Sequence, residues 1–282
     1  MERNIENFIG CDSSYEDADI VIFGAPFDGT VSYRPGTRFA PHAIRAESYG
    51  LETYSPYQDK DITDGNIFDS GDIELCFGNT ERVLEDIGQR TKEILDDNKI
   101  PFMVGGEHLV TLGAFRKVYE KYPDINIIHF DAHTDLRDEY LGEKLSHAAV
   151  IRRCHELTGD GKIYQFGIRS GERDEFYWSK KHTYLNLYNF DGLLEIIKKL
   201  GNAPVYFTLD LDVLDPSVFP GTGTPEGGGV SFEELRKAAT AVCSKCNVIA
   251  ADVNELSPAY DQSGVSTAIA GKIIREMLIA LI

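Results

Sequence analysis

Short apolar segments separated by amphipathic ones constrain this chain more than any other feature. Residues 20–23, 101–104, 125–130, 163–166, 205–209 and 248–250 are apolar or nearly so along their whole length. A strand with one wet face alternates apolar and polar side chains, whereas a strand covered on both faces does not. Between these runs, residues 81–98, 109–122, 148–157, 193–200, 232–242 and 266–281 repeat apolar side chains at helical spacing. Ser231 and Glu234 read as a capping box opening the fifth of these helices. Strand–helix alternation along the whole chain predicts βαβ units and the α/β class, with a parallel sheet covered on both faces. The Gly- and Pro-rich stretches at 34–36 and 220–229 are too short to be tethers. Residues 1–282 therefore read as a single domain.

Charge excludes some partners. With 28 Lys and Arg against 46 Asp and Glu, the net charge is −18. Phosphate backbones need cationic side chains, so no nucleic acid is expected as partner, and anionic membrane surfaces are disfavoured. No stretch is long and apolar enough for a transmembrane helix, and Met1-Glu2-Arg3-Asn4 does not begin a signal peptide. A cytoplasmic location is the expectation. The five cysteines are odd in number, and Cys243-x-x-Cys246 has no second pair nearby. They read as reduced thiols rather than a disulfide framework or a zinc site.

In open α/β sheets, ligands bind beyond the carboxyl ends of the strands. Here Gly105-Gly106-Glu107-His108 follows the second apolar run, and Asp131-Ala132-His133-Thr134-Asp135 follows the third. Asp210-Leu211-Asp212 follows the fifth, and Asp252-Val253-Asn254-Glu255 the sixth. Residues i and i+2 of an extended segment share a face, so Asp131 points with His133 and Asp210 with Asp212. One such acidic pair is ordinarily a solvated pair or a cap. Four Asp and two His converging without Lys or Arg would repel one another, and bound cations relieve that repulsion. A donor set of carboxylate and imidazole without thiolate suits manganese, magnesium, iron or cobalt. Six ligands suit two bridged ions with a hydroxide nucleophile between them, the arrangement of a binuclear metallohydrolase.

These segments resemble the signatures of the ureohydrolases, the arginases and agmatinases. The resemblance extends to Phe27-Asp28-Gly29-Thr30 with Tyr33–Pro41, and to Asp252–Asp261. It implies a three-layer α/β/α fold with a central, mostly parallel sheet. It also implies two Mn²⁺ ions per subunit and hydrolysis of a guanidinium group to urea and an amine. By position, His108, Asp131, Asp135 and Asp210 would hold one ion, and Asp131, His133, Asp210 and Asp212 the other. His147 falls where the family has a catalytic histidine, and Asp135 is the other candidate for protonating the leaving amine. Glu255 would grip the guanidinium, since a carboxylate matches that planar cation in two parallel hydrogen bonds. Thr224 would line the same pocket. Glu107 replaces the Asp or Asn common in relatives at a position that is not a ligand. The family also suggests a homo-oligomer, trimer or hexamer.

The loop 136–146 carries three acids, two bases and no Asn. That suits a substrate with a bare cationic tail, so agmatine is expected, with putrescine and urea as products. Asp138, Glu139 and Glu143 are the candidates for the distal amine. Guanidinobutyrate or arginine hydrolysis are the alternatives within the family, and a catalytically silent metal-binding homologue is the alternative outside it. Formimidoyl-glutamate, with two carboxylates, fits an acidic rim poorly.

Overall fold

A computed structural model describes residue 1 and residues 6–282. Glu2, Arg3 and Asn4, part of the segment read above as not beginning a signal peptide, lie outside the described residues. The strands are β1 (Ile20–Gly24), β2 (Tyr54–Ser55), β3 (Lys60–Asp61), β4 (Ile67–Asp72) and β5 (Ile100–Val104). They continue with β6 (Asn126–Phe130), β7 (Ile163–Ile168), β8 (Tyr184–Leu187), β9 (Pro204–Asp210) and β10 (Asn247–Asn254). The short antiparallel pair β2–β3 stands apart. The other eight form one sheet in the order β4-β1-β5-β10-β9-β6-β7-β8, with parallel neighbours throughout.

Side-chain alternation within the buried strands explains the layers. Ile20, Ile22, Phe102, Ile128, Phe207 and Val253 point into one core, and Val21, Phe23, Met103, Ile127, Tyr206 and Ala250 into another. The first core packs against α1 (Ala40–Ser48), α6 (Leu193–Leu200), α7 (Phe232–Lys245) and α8 (Val265–Leu281). The second packs against α2 (Thr80–Asp96), α3 (Val110–Lys121) and α4 (Val150–Thr158). The fold is thus a three-layer α/β/α stack around a parallel sheet. The capping box forms at α7: Ser231 Oγ accepts the Glu234 amide proton, and Glu234 accepts the Ser231 amide proton. No helix of the described residues is long and apolar enough to cross a membrane. The cysteines are free, with Cys243 buried in α7.

Besides the short β2–β3 pair, two strands of the main sheet and two helices escape the apolar pattern. β4 and β8 are the sheet edges, and β8 (YLNL) is only partly covered. β4 (IFDSGD) carries two acids and a glycine. Helix α5 (Arg173–His182) is mostly polar, and a Glu172–Glu175 capping box starts it. Helix α1 is short, with Pro41 in its first turn.

Strand order sets the site. β5, β10, β9 and β6 are consecutive neighbours in mid-sheet, all parallel, so their carboxyl ends share one rim. These are the four strands that precede the acidic and imidazole segments. Glycine is needed where β5 meets α3. A Cβ on Gly105 would lie 1.9 Å from Asn254 Oδ1, and one on Gly106 1.9 Å from the Phe27 carbonyl oxygen. That carbonyl accepts the Glu107 amide proton at 2.8 Å, which joins the N-terminal segment to the rim. Gly106→Ala is expected to destabilise the protein by about 1–3 kcal/mol as an overpacking change, read as a lower thermal midpoint. An unchanged midpoint would show that the Phe27 segment yields freely.

Candidate metal centre

His108 sits between β5 and α3, Asp131 directly after β6, and Asp210 ends β9. All three are buried. His108 Nδ1 lies 3.1 Å from Asp131 Oδ2, 3.1 Å from Asp135 Oδ2 and 3.4 Å from Asp210 Oδ2. A second focus lies on the other oxygen of Asp131. His133 Nδ1 is 3.0 Å from Asp212 Oδ2 and 3.5 Å from Asp131 Oδ1. Asp131 therefore spans both foci. Asp210 Oδ1 accepts the Asp212 amide proton at 2.8 Å.

The donor set fits cations on a specific observation. His108 Nε2 is 2.9 Å from Thr208 Oγ1, and that hydroxyl donates to Asp252 Oδ1 at 2.6 Å. Thr208 thus accepts from Nε2–H, which leaves Nδ1 with a lone pair facing three carboxylate oxygens. Nδ1 is buried and none of those contacts has hydrogen-bond geometry. Four electron-rich atoms converging on one buried point need a positive charge among them. Burial opposes charge on the His108 ring, but Asp131, Asp135 and Asp210 outweigh it and hold the ring well above the usual imidazole range, so either a proton on Nδ1 or a cation supplies the positive charge there. Burial, then the charges of Asp212 and Asp131, push Asp210 well above the carboxylate range. Burial and the Asp131 charge push Asp135 up to about 7.

Neutral donors hold the ligands from behind. Gln165 Nε2 donates to His129 Nδ1 at 3.1 Å, so His129 presents Nε2–H to Asp131 Oδ2 at 2.8 Å. Tyr206 Oη and Asn254 Nδ2 donate to Asp252 at 2.5 and 2.7 Å, fixing the acid behind Thr208. Glu175, buried at the start of α5, accepts from Thr134 Oγ1 at 2.6 Å and from the Leu136 amide at 3.0 Å. Those two residues flank Asp135, whose φ of 52° is left-handed. Glu175 therefore clamps a strained turn in place. Sequence reasoning missed Gln165, Thr208 and Glu175. Thr208 stands two residues before Asp210, so the i, i+2 rule could have found it; the other two carry no local signal.

Glu255, like Asp135, has a left-handed backbone, with φ 68°. Its Oε1 accepts the His108 amide proton at 2.7 Å. Burial, then the Asp212 and Glu107 charges, raise it well above the usual range. Glu255, His108, His133, Asp135, Asp210, Thr224 and His147 all line a cavity of about 270 Å³. Thr224 Oγ1 donates to Asp212 Oδ2 at 3.3 Å, so its hydroxyl is tied to the acid cluster. His147 opens a 3₁₀ turn before α4, and its amide donates to Thr30 Oγ1 at 3.1 Å. Burial lowers the His147 ring to about 4, so the ring is neutral at neutral pH. Thr30 in turn donates its amide to Glu107 Oε2 at 2.8 Å. Glu107 is fully buried, braces the Thr30 segment, and is pushed by burial to about 7.

Asp138, Glu139 and Glu143 do not line the cavity. Asp138 instead pairs with Arg153 at 3.1 Å. The wall beyond the cluster is formed by Arg137, Tyr140, Glu172 and Glu175. Arg137 pairs with Glu172 at 2.8 Å and lies over the Tyr140 ring.

This fold and these strand-end carboxylates mark a family. The sequence profile of the arginase family matches residues 18–280, and the chain belongs to that family. Within it the chain is a ureohydrolase. It is 49% identical over 276 residues to the agmatinase of Bacillus cereus, covering 96% of this chain and 95% of that one. It is 48% identical over 279 residues to the agmatinase of Bacillus subtilis, covering 98% and 96%. A solved chain from Clostridium difficile shares 53% identity with a TM-score of 0.93, covering 95% of this chain and 98% of its own.

Thr208→Val and Glu175→Gln are expected to weaken divalent-ion retention by about 10- to 100-fold, as loss of an outer-layer hydrogen bond does. Equilibrium dialysis with elemental analysis reads this directly. Retention equal to that of the parent protein in both variants would contradict the clamping roles.

Proposed function

We propose that the protein is a binuclear manganese hydrolase that converts agmatine to putrescine and urea. The observation that carries this reading is the double focus of donors around Asp131, on the floor of a cavity walled by Glu255. The identity to Bacillus agmatinases supports the choice of substrate. His108, Asp131, Asp135 and Asp210 would hold one Mn²⁺, and Asp131, His133, Asp210 and Asp212 the other. When bound, the ions supply Lewis acidity and a water of lowered pKa.

Hydrolysis joins a water oxygen to the guanidinium carbon. It breaks the bond from that carbon to the substrate's chain nitrogen, and the amine leaves protonated. Glu255 grips the guanidinium. Its carboxylate cannot swing away because the His108 amide fixes Oε1. Held in this way, it orients the carbon towards the acid cluster. His147, neutral and facing the cavity, can take up a proton released on the way in. Asp135 or His147 returns one to the departing nitrogen. Thr30 keeps the His147 turn in place through the amide contact.

The wall beyond the reacting end favours a cationic tail. Glu172 and Glu175 outnumber Arg137, and a net negative mouth attracts a dication. Arg137 also supports the second reading, because it could meet the carboxylate of guanidinobutyrate or arginine. Glu172 already neutralises it at 2.8 Å, which places agmatine first. The proposal includes a cytoplasmic homo-oligomer, trimer or hexamer, without nucleic-acid or membrane partners. Its product feeds polyamine synthesis.

Urea release from agmatine, arginine and guanidinobutyrate should be measured side by side with MnCl₂ present. Agmatine is expected to lead; turnover of arginine with agmatine inert would overturn the substrate assignment. Glu255→Gln is expected to lower kcat/KM for agmatine by about 100-fold or more, equivalent to about 2.7 kcal/mol of transition-state binding. A change below about threefold would remove Glu255 from the guanidinium site.

A further inference from the structure

The far ends of α4 and α5 bring together a separate set of metal-ligating side chains that the proposed hydrolysis does not use. His155, in the last turn of α4, holds Nε2 2.8 Å from Asp160 Oδ1. His182, the last residue of α5, holds Nδ1 2.7 Å from the same oxygen. Three segments thus aim two imidazoles and a carboxylate at one point, their ligand atoms all within 4.8 Å of one another.

Both rings are fixed in place. Trp178 stacks on His182 at 4.3 Å and meets His155 edge-on at 4.6 Å. The carboxylate is fixed by its loop. Gly159 and Gly161 flank Asp160 with φ of 73° and 75°, left-handed values that suit glycine. The Gly161 amide donates to the His182 carbonyl at 3.2 Å, tying the loop to α5. Arg152 lies over the Trp178 face at 4.1 Å, so its guanidinium is engaged on the indole.

Hydrogen bonding alone gives weak cause for this convergence. The Asp160 side chain is 64% exposed, and an exposed pair is screened by solvent and gains little. Ordering the exposed Asp160 side chain costs rotamer entropy that offsets this gain. A two-nitrogen, one-oxygen donor set with an open solvent side is instead what a borderline transition ion takes, with water as fourth ligand.

We propose that His155, Asp160 and His182 bind one zinc-class ion, distinct from the manganese pair. The ion would clip together the C-terminal ends of α4 and α5. The opposite ends of these helices adjoin the cavity, through the His147 turn before α4 and Glu175 in the first turn of α5.

The test loads the holoenzyme with MnCl₂, dialyses it against micromolar free Zn²⁺ with Mn²⁺ in excess, and counts both metals per chain. The wild type is expected to keep its manganese and gain one zinc. Asp160→Asn and His182→Gln should each bind that zinc at least tenfold more weakly, with manganese content and urea release unchanged. Zinc should also raise the thermal midpoint of the wild type only. Equal zinc in wild type and variants would overturn the proposal. If a variant fails to fold, the wild type alone decides: zinc gained only by one-for-one loss of manganese, or no zinc gained, overturns it.

Discussion

Asp131 is the point on which the rest of the structure depends. It is wholly buried, and its two oxygens face different partners: Oδ2 faces His108 and His129, while Oδ1 faces His133 and accepts that residue's amide proton at 2.6 Å. Asp135, Asp210 and Asp212 crowd around it. Carboxylates this close and this dry cannot all ionise without a cation between them. The order of the sheet makes sense in that light. The last two strands of the sheet to be made, β9 and β10, insert between β5 and β6, and this brings four acid-bearing strand ends together on one rim.

Such a cluster has to be held open as well as brought together. The chain does this with neutral donors and with carboxylates that accept hydrogen bonds from them or from the backbone. Gln165 sets the tautomer of His129, and Thr208 with Asp252 sets that of His108. Glu175 holds the left-handed turn at Asp135, and the His108 amide holds Glu255. The electron-rich faces of the ligands are thus held pointing at the two foci. This preorganisation is what a site for small hard cations requires.

Much of this was legible in the sequence for a simple reason. The central strands are buried on both faces, so their apolar runs are unbroken, and strand geometry puts i and i+2 on one face. Spacing paired Asp131 with His133 and Asp210 with Asp212, but Asp131 and His133 follow the end of β6 and Asp212 sits in a 3₁₀ turn after β9, so it is the turns at the strand ends that bring them together. The edges β4 and β8 and the polar helix α5 were not legible, because one-sided burial relaxes the pattern. The distal wall was misread for another reason. Asp138, Glu139 and Glu143 stand close in sequence to the second motif, yet Asp138 turns outward to Arg153. Glu172 and Glu175 reach the cavity from a helix some forty residues later. Chain separation hides such pairs, and it hid Gln165 behind His129 and the contact of Glu107 with Thr30 in the same way.

The account's central claim is that two cations share Asp131. Anomalous scattering at the manganese edge, from crystals grown with MnCl₂, tests it most directly. It predicts two peaks about 3.5 Å apart, one among His108, Asp131, Asp135 and Asp210 and the other among Asp131, His133, Asp210 and Asp212. A single peak, or manganese that avoids Asp131, would contradict it.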